Sequence, residues 1–176
     1  MKRILLLCLP VWLLVFAGTG SAVFCAQKTV FVIQSYHEAY SWDKNSKAGI
    51  ESVLGDDYRL VYFQMDTKRL PPSQFEKKAE SAFNRYLELT PDLVILGDDN
   101  ALKYLGPRLG QTRTPVVYFG INNNPRDYGI TRFDNITGVL ERPVSVPGIV
   151  FVKALIQPEV KKILILFDTG ITAESA

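Results

Sequence analysis

Short apolar runs alternate with amphipathic stretches along most of the chain. In the first run, Val30 to Ile33, four consecutive residues are apolar. Runs of this kind are typical of parallel strands that are covered on both faces of a sheet. The pattern predicts six strands, at residues 28–34, 58–63, 92–97, 115–119, 136–140 and 162–167.

Between the predicted strands, apolar residues recur at helical spacing. Ser73 and Glu76 have the spacing of a capping box, which predicts the start of the second helix. Phe75, Ala79, Ala82, Phe83 and Tyr86 would lie on one face of that helix. The other predicted helices are residues 42–54, 100–109 and 147–156. The alternation predicts an α/β fold, a Rossmann-like parallel sheet with helices on both faces.

Polar and aromatic residues gather where three of these strands end. In a parallel sheet such ends lie at one edge, so we expect the segments to form one crevice. Aromatic faces can enclose a ring, carboxylates can bind an ammonium group, and amides can bind a carboxylate. The segments are Ser35-Tyr36-His37 with Tyr40 and Trp42, then Gly97 to Asn100, and then Gly120 to Asn124.

Each segment also has a purely structural interpretation. Asp98 to Asn100 are good helix N-caps beside a favourable helix dipole. Asn122 to Asn124, which precede a proline, are typical of a turn. Trp42 could anchor the core, and His37 has no second histidine or cysteine nearby with which to bind a metal. The sequence leaves these alternatives open.

The N-terminus has the order of a secretory signal peptide. Lys2 and Arg3 precede an apolar run from Ile4 to Phe16 and then small residues. This order predicts a signal peptide at residues 1–22 and a periplasmic or otherwise extracytoplasmic location. Cys25 leaves lipidation open, and a retained membrane anchor is a further alternative. We expect contact with the membrane only through this segment.

The remaining composition excludes several classes of protein. Beyond residue 22 the chain has 18 basic and 18 acidic residues, so nothing indicates nucleic-acid binding. Cys25 would be the only cysteine left, which gives no disulfide and no metal-binding set. The chain has no phosphate loop, GxGxxG, GxSxG or HExxH motif, so we expect no enzyme, no cofactor and no metal. An exported flavodoxin-like enzyme using Asp98 or Asp99 stays an alternative.

Several blocks of the sequence resemble one known family. "QSYHEAYSWDKNSKAGIES", "PDLVILGDDNALKYL", "TPVVYFGINN", "NITGVLERP" and "LIQPEVKKILILFDTG" look like successive segments of the ABC-transporter substrate-binding proteins. The resemblance implies two Rossmann-like lobes with a small molecule, such as an amino acid, bound between them. It implies ligand-binding roles for Ser35, Tyr36, Tyr40, Trp42, Asp98, Asp99, Asn100, Gly120 and Asn122 in the first lobe, and for Thr169 in the second.

The same resemblance implies domain boundaries and partners. Residues 28–142 would form the first lobe, and residues 143–176 a crossover helix with the start of an incomplete second lobe. We therefore expect a C-terminally truncated member of the family. Its partner would be an ABC permease or, since this branch also occurs as the sensor region of histidine kinases, a kinase module.

Overall fold

The structure, a computed structural model, describes residues 27–141 and 145–156, together with Lys162 and Leu164. Within these residues, five strands form one sheet in the order β2-β1-β3-β4-β5, and every neighbouring pair is parallel. The predicted α/β, Rossmann-like fold is thereby confirmed. The strands are β1 (Thr29–Gln34), β2 (Arg59–Gln64), β3 (Leu93–Gly97), β4 (Val116–Ile121) and β5 (Ile136–Leu140).

Over the described part of the chain, four α-helices accompany the strands, and three 3-10 turns occupy the longer connections. The turns are Pro72–Gln74, Pro125–Tyr128 and Ile130–Arg132. Predicted and observed boundaries of strands and helices agree within about two residues. The helices are α1 (Ser41–Leu54), α2 (Phe75–Leu89), α3 (Asp98–Leu109) and α4 (Ser145–Ile156).

Apolar side chains fill both faces of the sheet, which explains the uninterrupted apolar runs. On one face Phe31, Ile33 and Leu96 pack in the larger core cluster with residues of α2 and α3. On the other face Val32 and Ile95 belong to a smaller cluster, against which residues of α1 pack. Consecutive strand residues point to opposite faces, so each must be apolar where both faces are covered. The three central strands of the sheet are β1, β3 and β4.

The start of α2 differs from the prediction. Ser73 lies inside the 3-10 turn Pro72–Gln74, and Gln74 occupies the N-cap of α2 without a side-chain hydrogen bond. The prediction that Ser73 and Glu76 form a capping box is therefore wrong. Pro71 and Pro72 direct the chain into this turn, because proline fixes φ near the helical value and lacks an N–H. The predicted apolar face of α2 is confirmed: Ala79, Ala82 and Tyr86 are buried, and Phe75 and Phe83 are partly buried.

Helix α4 is apolar but contributes little to this core. Its exposed residues include Val150, Phe151, Leu155 and Ile156. None of the helices in residues 27–141 and 145–156 combines the length and apolarity that a bilayer span requires. The predicted signal peptide and nearly all of the predicted sixth strand lie outside the described residues, and the lobe boundaries stay predictions.

Candidate functional site

The ends of β1 and β3 are joined by one buried side chain. The Ser35 hydroxyl donates to the Gly97 carbonyl at 2.8 Å and accepts from the Ala101 backbone N–H at 2.9 Å. The Ser35 N–H also donates to Gly97 O at 3.1 Å. The strand order reverses between β1 and β3, and ligand crevices of open α/β sheets lie at such points. Ser35 therefore fixes the position where a crevice is expected.

The segment after β2 reaches the same edge, and the sequence analysis missed it. The buried Thr67 hydroxyl donates to Ser35 O at 2.8 Å, and Asn100 Nδ2 donates to Thr67 Oγ1 at 3.0 Å. Asp66 N donates to Tyr36 O at 2.8 Å. The signal was present, because β2 is one of the predicted parallel strands and its carboxyl end must lie at the same edge of the sheet as that of β1. The side chain of Asn100 is thus already hydrogen-bonded to Thr67 within the protein.

Asp99 connects α3 to the loop after β4. Its side chain is fully buried and accepts from the backbone N–H groups of Asn122, at 3.0 Å, and Asn123, at 3.3 Å. The Tyr128 hydroxyl donates to the same carboxyl group at 2.8 Å and accepts from Asn123 Nδ2 at 3.0 Å. Burial beside Asp99 raises the pKa of Tyr128. Tyr128, which the sequence analysis did not select, belongs to the framework of the crevice.

The structural alternative in which Asp98, Asp99 or Asn100 is the N-cap of this helix is wrong. Gly97 occupies the N-cap of α3, and Asp98 and Asp99 stand in the first turn. The reason is that β3 leads directly into α3 with no intervening loop. Asp98 has a φ of 72°, a region that residues other than glycine rarely adopt, and its Oδ1 accepts from Asp99 N at 2.6 Å. Such strain occurs often at ligand sites.

Two buried carboxyl groups that bond to Tyr36 have raised pKa values. Burial raises the pKa of Asp98 to about 6, against the effect of a hydrogen bond from the Tyr36 side chain. Burial also raises the pKa of Asp43 to about 7, although Tyr36 N donates to Asp43 Oδ2 at 3.1 Å. Asp43 is a further residue that the sequence analysis missed; its only signal was an acidic residue in the first turn of α1. Both groups can take up or release a proton near neutral pH.

The aromatic residues after β1 divide into one buried ring and two accessible ones. Tyr36 is 6 % exposed, Tyr40 is 36 % exposed and Trp42 is half-buried. The rings of Tyr36 and Tyr40 meet edge to face at 4.9 Å, and Trp42 stacks on Phe119 at 6.4 Å. Two of the three rings are therefore partly exposed. Their role in ligand binding stays a prediction.

Trp42 also contacts the end of β4. Gly120 has a φ of 70°, and a Cβ added there would lie 2.6 Å from Trp42 Cζ2. Asn122, two residues further on, is buried. The structure therefore brings together, at one edge of the sheet, the candidate residues that lie within residues 27–141. Thr169, the candidate of the second lobe, lies outside the described residues.

A cavity of about 680 Å³ lies beside α1, and Gln34, Asp43 and Gln64 are among its lining residues. The predicted ligand-binding residues are not part of this lining. Within the part of the chain that the structure describes, no group of three or more histidine, cysteine or acidic residues could hold a metal ion. The chemistry that the crevice offers is aromatic surface, carboxyl groups and amides.

Solved structures of the same fold are found at low sequence identity. A conserved domain protein from Vibrio cholerae O1 biovar El Tor superposes with a TM-score of 0.59 at 15% identity, over 77% of this chain and 45% of that chain. The ABC domain from Streptococcus pneumoniae in complex with L-Trp superposes with a TM-score of 0.58 at 16% identity, over 73% of this chain and 43% of that chain. A ligand-free, open substrate-binding protein with adhesive properties from Clostridium difficile superposes with a TM-score of 0.58 at 12% identity, over 75% of this chain and 44% of that chain.

These similarities show that the chain shares its α/β fold with these solved structures. The chain spans less than half the length of each of these structures. No protein-family model matches the chain, and no curated protein matches it significantly.

Proposed function

We propose that this protein is an extracytoplasmic solute-binding protein, or part of one, that binds a small molecule at the carboxyl edge of its sheet. The observation that carries the proposal is the arrangement of the aromatic segment. Tyr40 and Trp42 keep accessible ring surface while Trp42 rests on Gly120 and Tyr36 bonds to Asp98. Rings that served only as core anchors would be fully buried.

The fold neighbours support an amino acid as the candidate ligand. One of them is described in complex with L-Trp and another as a substrate-binding protein. An aromatic amino acid has a ring that could stack on Tyr40 or Trp42. Its ammonium group could donate hydrogen bonds to a carboxyl group such as that of Asp98. The aromatic segment of this chain therefore suits the same class of ligand.

The partner we propose is an ABC permease, and the location follows from the predicted signal peptide at residues 1–22. The alternative, the extracytoplasmic sensor region of a histidine kinase, would use the same fold and the same crevice. The two functions differ in genomic context, because permease and ATPase genes would accompany an importer and a kinase frame would follow a sensor.

Catalysis is the weaker proposal. Asp99 accepts three hydrogen bonds within the protein, so its carboxyl group is held by the framework and is poorly placed to act on a substrate. Asp98 could exchange a proton near neutral pH, and a turnover screen with small hydrolysable substrates tests that role.

A thermal-shift screen of the protein with amino acids, peptides and small metabolites tests binding directly. A ligand that binds only the native state raises its apparent stability. Trp42→Ala should weaken binding of the solute found in the screen by more than it lowers stability. Phe83→Ala, which removes a partly buried ring from α2, is the matched control and should lower stability while leaving affinity unchanged. Equal losses of affinity in both variants would contradict the proposal.

A further inference from the structure

A lysine ammonium group lies over the tyrosine pair of the crevice. Lys68 Nζ is 4.9 Å from the centre of the Tyr36 ring and 5.6 Å from that of Tyr40. Both distances lie within the range in which an aromatic ring attracts a cation. Lys68 is itself exposed and belongs to the segment after β2.

An acidic side chain completes this environment. The hydroxyl group of Tyr36 bonds to Asp98, and the charge of Lys68 acts on the Asp98 carboxyl group. Asp98 is buried and has the strained φ of 72°. Two ring faces and a carboxyl group are the chemistry by which proteins recognise an ammonium group. In this structure the cation at that place is the protein's own.

We propose that Tyr36, Tyr40 and Asp98 form the ammonium-binding part of the crevice, and that Lys68 occupies it until the ammonium group of a ligand replaces it. This inference rests on the proposed solute-binding function and narrows the ligand to a small molecule that carries a primary ammonium group. Lys68 is suited to withdraw, since its long side chain is exposed and its ammonium group is readily hydrated. Lys68 thus competes with the ligand.

The test uses two probes that differ in one group. Phenethylamine carries an aromatic ring and an ammonium group, and 3-phenylpropionate carries the same ring on a similar chain with a carboxylate. The chain has two tryptophans, so Trp12→Phe in the full chain leaves Trp42, beside the crevice, as the fluorescent reporter. Saturable quenching or enhancement of the Trp42 signal gives the Kd of each probe.

We expect phenethylamine to bind and 3-phenylpropionate not to bind. Lys68→Met should tighten phenethylamine binding about three-fold, which corresponds to removing a competing cation–π contact at an exposed site. Lys77→Met, which removes an exposed lysine from α2, should leave the Kd unchanged. Circular dichroism and the melting temperature check that both lysine variants keep the fold.

Weaker phenethylamine binding by Lys68→Met would overturn the inference, because Lys68 would then contribute to the site. Binding of 3-phenylpropionate that is lost in Lys68→Met would also overturn it, since Lys68 would be an anion-binding residue. If neither probe binds but a solute from the thermal-shift screen does, this inference is wrong and the proposed function stands. If no solute binds at all, the proposed function itself fails.

Discussion

The indole of Trp42 lies against Gly120, and this contact joins the start of α1 to the end of β4. A Cβ at Gly120 would come within 2.6 Å of Trp42 Cζ2, so the two residues can pack in this way only because position 120 has no side chain. The φ of 70° at Gly120 is a second reason for glycine there. The crevice therefore depends on a backbone position as much as on its aromatic rings.

Gly120 is required both by its positive φ and by the contact with the Trp42 indole. A comparison of Gly120→Ala with Gly129→Ala separates these two requirements. Gly129 has a φ of 67°, and nothing lies within 4 Å of a Cβ placed on it. Both variants should lose about 1 kcal/mol of unfolding free energy through backbone strain. Gly120→Ala should lose about 1–3 kcal/mol more, because the new methyl group collides with the indole. Urea unfolding followed by circular dichroism measures both, and equal losses would show that Trp42 moves aside freely.

Asp99→Asn should destabilise the loop after β4. The carboxyl group accepts from two backbone N–H groups and one hydroxyl, and an amide would present an NH2 group to some of these donors. We expect a loss of about 2–3 kcal/mol in unfolding free energy, because the donors are buried or partly buried. Tyr128→Phe, which removes one of the three donors, should cost about 1 kcal/mol.

The exposed Asp134→Asn is the control for this pair and should be neutral. Denaturant midpoints measure all three variants. A neutral result for Asp99→Asn would show that the loop does not depend on this carboxyl group.

The sequence predicts the sheet well and the detailed contacts of the crevice less well. Strand positions follow from consecutive apolar residues, a signal that burial on both faces imposes at every position. The roles of Asp98 and Asp99 depend on where α3 begins, and β3 leads directly into it, which moves both residues from the cap to the first turn. Tyr128 ends a short 3-10 turn and Lys68 lies in the connection after β2, where no periodicity indicates which side chain turns towards the edge of the sheet.

The raised pKa values of Asp43 and Asp98 predict that the free energy of unfolding falls as the pH rises from about 4 to about 7. An aspartate in the unfolded chain has a pKa of about 3.9. Burial raises the pKa to about 7 for Asp43 and to about 6 for Asp98 in the folded protein. At a pH between the unfolded and the folded pKa, the unfolded chain has released this proton while the folded protein still holds it. This difference favours unfolding. Below pH 4 both states are protonated, and above pH 7 the penalty is constant.

Asp43→Asn isolates one of these contributions. The amide keeps an oxygen that can accept from Tyr36 N, and it does not titrate. The stability of the variant relative to the wild-type protein should therefore rise between pH 4 and pH 7, by roughly 1.4 kcal/mol for each unit by which the pKa is shifted. The exposed Asp57→Asn is the control. A pH-independent difference for Asp43→Asn would mean that Asp43 titrates in the folded protein as it does in the unfolded chain.

Replacing Ile95 by Asp tests the central position of β3. Ile95 is 8 % exposed and packs with Val30 and Val32 beneath α1, so a carboxylate there would be buried without a partner. We expect loss of more than about 4 kcal/mol, enough to unfold many domains of this size. Val139→Asp makes the same exchange on the outer strand β5, where the side chain is 68 % exposed, and should cost less than about 1 kcal/mol. Far-ultraviolet circular dichroism distinguishes the two, and a folded Ile95→Asp variant with native stability would contradict the placement of β3 at the centre of a covered sheet.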